Sequence, residues 1–121
     1  MYIPKHFAEH DQAEILRFIA ANTFGTLVTV DAGVPFASHI PFLLEQDDTL
    51  TLSGHLAKAN PQWQHLTANT QVLAMFQGAH AYVSPTWYEG AGVPTWNYTA
   101  VHVHGKVRVI HDTAWLQAQV E

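Results

Sequence analysis

Residues 101–109 read Val-His-Val-His-Gly-Lys-Val-Arg-Val. Every second position is valine or glycine, and every position between is histidine, lysine or arginine. A helix turning every 3.6 residues would scatter these valines around its axis, whereas a strand puts alternate residues on one face. The segment therefore predicts a strand with an apolar face in a core and a polar face outside it.

The rest of the chain supplies partners for that strand. Gly25 and Gly33 bracket Thr26-Leu27-Val28-Thr29-Val30, and Asp31-Ala32-Gly33 reads as the turn that follows. A second strand is expected over about 36–44, and Gln46-Asp47-Asp48 turns it back onto Leu50-Thr51-Leu52-Ser53. Val72-Leu73-Ala74-Met75-Phe76 reads as a buried strand and Ala81-Tyr82-Val83 as a short one, with a loop from Pro85 to Pro94. Asp11, with Glu14 three residues on as its reciprocal partner, predicts a capped helix near 11–22. Asn60-Pro61 predicts a short helix near 61–68 carrying Trp63 and Leu66. Asp112 or Thr113 can cap a final helix around Trp115 and Leu116. The expected fold class is mainly β: a six-stranded antiparallel barrel with two or three short helices, forming one domain over 1–121.

Composition narrows the function. Among 121 residues there are five Lys and Arg, ten Asp and Glu, nine His and no Cys, for a net charge of −5. Nucleic-acid binding draws most of its affinity from phosphate neutralisation by a dense basic surface, which five cations do not provide. Thiolate and disulfide chemistry is absent. The opening Met-Tyr-Ile-Pro-Lys-His-Phe has no signal-peptide core, and no apolar run approaches membrane-spanning length, so the expected location is the cytoplasm.

Three groups of residues can carry chemistry. Ser53-Gly54-His55-Leu56-Ala57-Lys58-Ala59-Asn60-Pro61 joins a strand end to a helix start. Backbone amides there attract anions, and Ser53, His55 and Lys58 add a hydroxyl, an imidazole and an ammonium suited to one phosphate; a plain loop with a solvated lysine is the competing account. Pro94-Thr95-Trp96-Asn97-Tyr98 sets two aromatics around an amide, able to stack on a flat heterocycle or to anchor a dimer contact. His102 and His104 share a strand face and are weak candidates for a metal, with a third ligand required from His39, His55, His80 or His111. Ser38-His39 and Ser84-Pro85-Thr86 raise a hydrolase, but no Gly-x-Ser-x-Gly elbow is present and strand neighbours face opposite ways.

Several segments in order resemble the PaiB-type family of FMN-binding domains. They are Met1 to Phe7, Phe24-Gly25-Thr26-Leu27-Val28-Thr29, Ala37-Ser38-His39-Ile40-Pro41-Phe42, Gly54 to Trp63, Phe76 to Tyr88 and Val93 to Gly105. The resemblance implies the FMN-binding split β-barrel, a homodimer, and flavin in the cleft between subunits. It implies FMN phosphate on Ser53, His55 and Lys58, a ring flanked by Ser38, His39 and Ile40, and approach by Trp96 and Asn97. It implies a negative transcriptional regulator as the functional setting, for which the acidic composition favours a flavin, redox or partner-mediated route over direct DNA contact. It also implies a further segment beyond Glu121. An FMN-dependent oxidoreductase of the flavin-reductase or pyridoxamine-phosphate-oxidase kind is the alternative, and a haem or metal binder a third.

Overall fold

The computed structural model describes residues 1–46, 48–67, 70–87 and 89–120. Helix α1 spans Gln12–Ala21. Strands β1 (Phe24–Asp31), β2 (Val34–Pro41), β3 (Leu43–Gln46), β4 (Leu50–Ser53), β5 (Gln71–Val83) and β6 (Thr95–Lys106) follow, and helix α2 covers Thr113–Val120. Short 3-10 turns lie at Lys5–Phe7, Pro61–His65 and Pro85–Trp87. The protein is mainly β, as expected, with six antiparallel strands among the described residues. Their hydrogen bonds divide them into a four-stranded sheet of order β2-β1-β5-β6 and a two-stranded sheet of β3 and β4, so the ladder does not close as a continuous barrel.

The division falls inside the segment expected to be one strand over 36–44. Phe42 leaves the ladder, donates its N–H to the Thr23 carbonyl at 2.9 Å, and buries its ring edge-on against Phe76 at 5.3 Å. Burying that phenyl turns the chain from the larger sheet into the smaller one. Phe42 joins Ile19, Leu27, Ala74 and Phe76 as the core, with Ile15 and Phe18 of α1 and Leu44 and Leu52 of the small sheet packed against it.

Local chemistry accounts for most element ends. Asp11 caps α1, accepting from the Ala13 N–H at 3.0 Å. The expected reciprocal partner differs: Glu14 pairs with Arg17, and Glu9 accepts from the Asp11 N–H at 3.0 Å instead. Asn60 caps the 3-10 turn at Pro61–His65, which stops before Leu66, and Ala68 of the expected helix lies outside the described residues. Asp112 caps α2 by accepting from the Trp115 N–H at 2.8 Å. The β1–β2 turn is Ala32-Gly33 with φ of 48° and 80°, the doubly left-handed geometry that matches strand twist in a two-residue hairpin. Asp47 of the second expected turn and Tyr88 of the expected Pro85–Pro94 loop lie outside the described residues.

The predicted strands 72–76 and 81–83 prove to be one strand, β5, interrupted by a bulge between Gln77 and His80. Gly78 sits in the bulge, where an added Cβ would lie 2.6 Å from Thr99 Oγ1 and 2.7 Å from Phe18 Cε2. Only glycine lets α1 approach the strand so closely there. Strand β6 begins at Thr95, earlier than the valine pattern shows, and ends at Lys106. Val107 still donates to the Thr70 carbonyl at 3.0 Å, while Arg108 and Val109 lie beyond the ladder. Pairing between β5 and β6 therefore extends past the four-stranded sheet as a two-stranded arm.

Candidate functional site

One face of the four-stranded sheet packs on the core and the other is open. Gly25, Leu27 and Thr29 of β1 are buried, whereas Thr26 and Val28 between them face outward and are half-buried. Cross-strand register places His39, Thr26, Met75 and His102 in one row across all four strands, and Ala37, Val28, Leu73 and His104 in the next. The bulge in β5 changes which parity faces out. Leu73, Met75 and Gln77 face outward before it, and His80 and Tyr82 after it, opposite Tyr98 and Trp96 of β6. The aromatic arm thereby continues the open face.

Where the arm leaves the sheet there is a cleft of about 690 Å³, lined by Thr26, His39, Met75, His80, Tyr98 and His102 with Phe24 at its edge. That volume lies in the range of small-molecule sites. Among the described residues, no Lys, Arg, Asp or Glu side chain lines it. Its polar groups are fixed in pairs: Thr26 Oγ1 and His39 Nδ1 are 3.1 Å apart, and the Trp96 indole N–H donates to His80 Nδ1 at 3.0 Å. Burial holds the His102 imidazole below the usual histidine range, aided by the Met1 ammonium and by His104. Its neutral form is thus favoured in a wall already short of charge.

A second, smaller cleft of about 70 Å³ opens at the end of β2, lined by Pro41, Phe42, Leu43, Ser53, Gly54 and His55. Pro41 is paired with Phe24 of the large cleft's rim, so both clefts flank one end of the sheet. A Cβ at Gly54 would press on Ile40 Cδ1 at 3.1 Å and touch the Pro41 carbonyl at 3.4 Å, so the loop passes close to the end of β2. The loop is tied down at its far end. Asn60 Nδ2 donates to Ser38 Oγ at 2.9 Å, and Asn60 Oδ1 accepts from the Gln62 N–H at 2.9 Å. Gln62, fully buried, sends its amide nitrogen to the carbonyls of Leu27 at 2.9 Å and Phe36 at 3.2 Å. His55 and Lys58 are exposed, and the Trp63 indole donates to the Lys58 carbonyl at 2.9 Å.

The expected site residues are distributed accordingly. Ser53 and His55 meet at the small cleft, with Lys58 further along the same loop. Strand alternation separates the 38–40 run: His39 faces the large cleft, while Ser38 and Ile40 turn inward, Ser38 to Asn60 and Ile40 to the core. Trp96 shares the outer face and Asn97 lies on the opposite side of the arm. The expected helix is only a five-residue 3-10 turn, and Asn60 already engages its Gln62 N–H, so the α-helical N-terminus expected to attract an anion is not formed there. His102 and His104 share the outer face, but among the described residues no three His, Asp or Glu side chains gather as a metal site. Ser38 and His39 point to opposite faces, and Ser84 Oγ contacts Thr86 Oγ1 at 2.8 Å rather than a histidine.

Sequence reasoning singled out Tyr98 as a stacking aromatic but missed Thr26 and Met75 as cleft residues, weighed His80 only as a metal ligand, and missed Asn60 and Gln62 as anchors. Strand parity from Phe24 to Thr29 contained the signal for Thr26. His80 could not be placed without knowing of the bulge.

The site fits a flavin mononucleotide by its own chemistry. Ser53 and His55 bring a hydroxyl and an imidazole to the lining of the small cleft, and Lys58 carries an ammonium further along the same loop. The large cleft has no Lys, Arg, Asp or Glu side chain among the described residues, carries Phe24 and Tyr98 in its wall, and is of heterocycle size. Comparison with known proteins agrees. All of residues 1–121 match the family described as "Putative FMN-binding domain", and the chain belongs to that family. FMN is the cofactor by which the family is defined. The chain is 48% identical over 111 residues to "Protease synthase and sporulation protein PAI 2" of Bacillus subtilis, covering 91% of this chain and 54% of that protein. It is 35% identical over 151 residues to an uncharacterised Aspergillus fumigatus protein, covering 93% and 58%. It is 33% identical over 144 residues to an uncharacterised Saccharomyces cerevisiae protein, covering 96% and 83%. The chain thus spans little more than half the length of the first two. No helix among the described residues is long and apolar enough to cross a membrane.

Proposed function

We propose that this chain is an FMN-binding domain of the PaiB type, holding the flavin between two copies of itself and serving a negative regulatory role in the cytoplasm. Bound FMN supplies a reversible electron acceptor. Ser53, His55 and Lys58 hold its phosphate. His39 and Trp96 flank the ring from the open sheet face, and Asn97 approaches from the arm's other side. Ser38 and Ile40 act from beneath, keeping the loop and β2 in place.

The observation that carries this reading is the 690 Å³ cleft on the open sheet face, lined among the described residues by no Lys, Arg, Asp or Glu side chain. The exposed surface supports a second copy over it. The chain exposes 8989 Å², whereas a compact monomer of 13.5 kDa exposes about 6,500 Å². The difference, about 2,500 Å², exceeds what one partner of a standard interface buries.

Titration of the purified protein with FMN tests the reading. Quenched flavin fluorescence and a perturbed visible spectrum are expected at micromolar protein; unchanged fluorescence would sink it. Lys58→Ala is expected to weaken FMN about tenfold, or 1.4 kcal/mol, and riboflavin much less, since only FMN has the phosphate. Equal loss for both would remove Lys58 from this role.

The Bacillus relative's name links it to protease synthesis and sporulation. For this chain, with five cations against ten acidic residues, a flavin- or partner-borne signal is the better route to regulation than DNA contact. The neutral His102 beside the cleft favours a second reading, an FMN-dependent oxidoreductase with a nicotinamide donor. Anaerobic NADH or NADPH that leaves bound flavin unbleached would exclude it.

A further inference from the structure

We infer that His80, in the cleft wall, is a positioning residue for Trp96, holding the indole to itself on the outer face of the arm only while its own Nδ1 carries no proton. The geometry admits one donor assignment. An indole N–H donates and never accepts. Trp96 Nε1 lies 3.0 Å from His80 Nδ1. Nδ1 is therefore the bare acceptor, and the proton of neutral His80 sits on Nε2. Protonation puts a second N–H at Nδ1, facing the indole N–H across the same 3.0 Å. Two donors repel, and the bond is lost.

The indole has little else to keep it there. Trp96 is 55% exposed, and among the described residues its aromatic neighbours are the His80 ring itself at 5.7 Å and Tyr82 at 6.2 Å. Both contacts are tilted rather than stacked, at 31° and 41°. The His80 ring is exposed, so protons reach it freely. The groups facing it are few. Tyr82 shares β5, Tyr98 and His102 lie on β6, His39 stands across the cleft on β2, and Met1 brings its amine to the same cleft. Among the described residues, no carboxylate lines the cleft to hold an imidazolium in place of the lost bond.

The β5 bulge is what makes this pairing. Without the extra residue between Gln77 and His80, position 80 would fall on the other side of the arm and could not meet Trp96. The latch stands on this geometry alone. Its consequence, a ring-flanking Trp96 that lets go of FMN in acid, rests on the flavin reading above.

The Trp96 indole N–H resonance of the flavin-free protein, identified by its loss in Trp96→Phe, reads the latch directly. It is followed from about pH 8 to 5, the interval in which histidine changes charge. In the unaltered protein it should move toward the free-indole position as pH falls. In His80→Asn, whose Oδ1 replaces Nδ1 as an acceptor that does not titrate, it should stay at its high-pH position throughout. In His80→Leu it should sit at the free position at every pH. Identical positions in the unaltered protein and His80→Leu, or a pH-dependent shift persisting in His80→Asn, would overturn the latch. With FMN, the affinity of His80→Asn should exceed that of the unaltered protein several-fold at about pH 5 and match it at pH 8. Equal affinities at both pH values would overturn the positioning role. FMN binding absent from all variants would overturn the flavin reading instead, with the indole resonance still deciding the latch.

Discussion

Gln62 is the most demanding buried side chain in the protein. It is fully buried, as is Thr29 at 1% exposure, and its two amide hydrogens serve three acceptors: the Leu27 and Phe36 carbonyls and, at 3.2 Å, Thr29 Oγ1. Its own Oε1 has no partner among the described residues. Thr29 in turn meets His65 Nδ1 at 3.1 Å, and His65 Nε2 lies 3.6 Å from Asp31. Gln62→Met conserves shape but leaves two strand carbonyls without their donor, so it should cost about 1–3 kcal/mol. Loss of the unpaired Oε1 offsets part of that. Urea denaturation measures it, and an unchanged midpoint would mean that those carbonyls find other donors. His102 gives a pH-dependent counterpart. Its folded-state affinity for protons is lowered, mainly by burial. The unfolded chain therefore binds the proton first, and stability falls as pH drops through the ordinary value of 6.5 toward the lowered folded one. Above that value both forms are neutral and the contribution is nil. His102→Gln should lose less stability between about pH 7 and 5 than the unaltered protein, as read from urea midpoints across that interval.

At the scale of elements, the hairpins hold the information that the chain spells least completely. Ala32 takes φ of 48° at the first turn position, a left-handed geometry that costs a Cβ-bearing residue about 1 kcal/mol. Asn-Gly is the favoured pair for that turn. Ala32→Asn should raise the thermal midpoint, with a gain of several tenths of a kcal/mol, and a fall in midpoint would contradict the turn geometry. The β5–β6 hairpin shows why motif reading stops short. Val101, Val103 and the polar residues between them announced a strand, but Thr95 to Tyr98 pair with His80 to Val83 through a ladder that no local propensity announces. The 36–44 run broke at Phe42 for a similar reason, because a distant ring, Phe76, fixes where Phe42 goes.

For the whole molecule, the open sheet face is the main consequence of the topology. Phe24, Val30, Tyr82, Trp96 and Tyr98 are exposed on it, while Val28 and Leu73 lie half-buried near its middle. If a second copy covers this face, light scattering should give twice 13.5 kDa. Val28→Lys would then set a charge in the interface and shift the mass toward 13.5 kDa. A monomeric unaltered protein would contradict the assembly, and FMN affinity should fall in parallel with dimer loss if both copies build the cleft.

By itself the sequence determined the strand-rich class, the antiparallel pairing, the capped helix ends and the family, because those follow from side-chain periodicity, local hydrogen bonding and ordered motifs. It also placed Ser53, His55 and Lys58 on one loop, since they are close along the chain. Tertiary structure decided which residues share a face across strands. The row of His39, Thr26, Met75 and His102 depends on register, and the meeting of His80 with Trp96 depends on one bulge. A single inserted residue reverses every side chain beyond it, and that parity is set by long-range packing, here by Phe18 and Thr99 closing on Gly78.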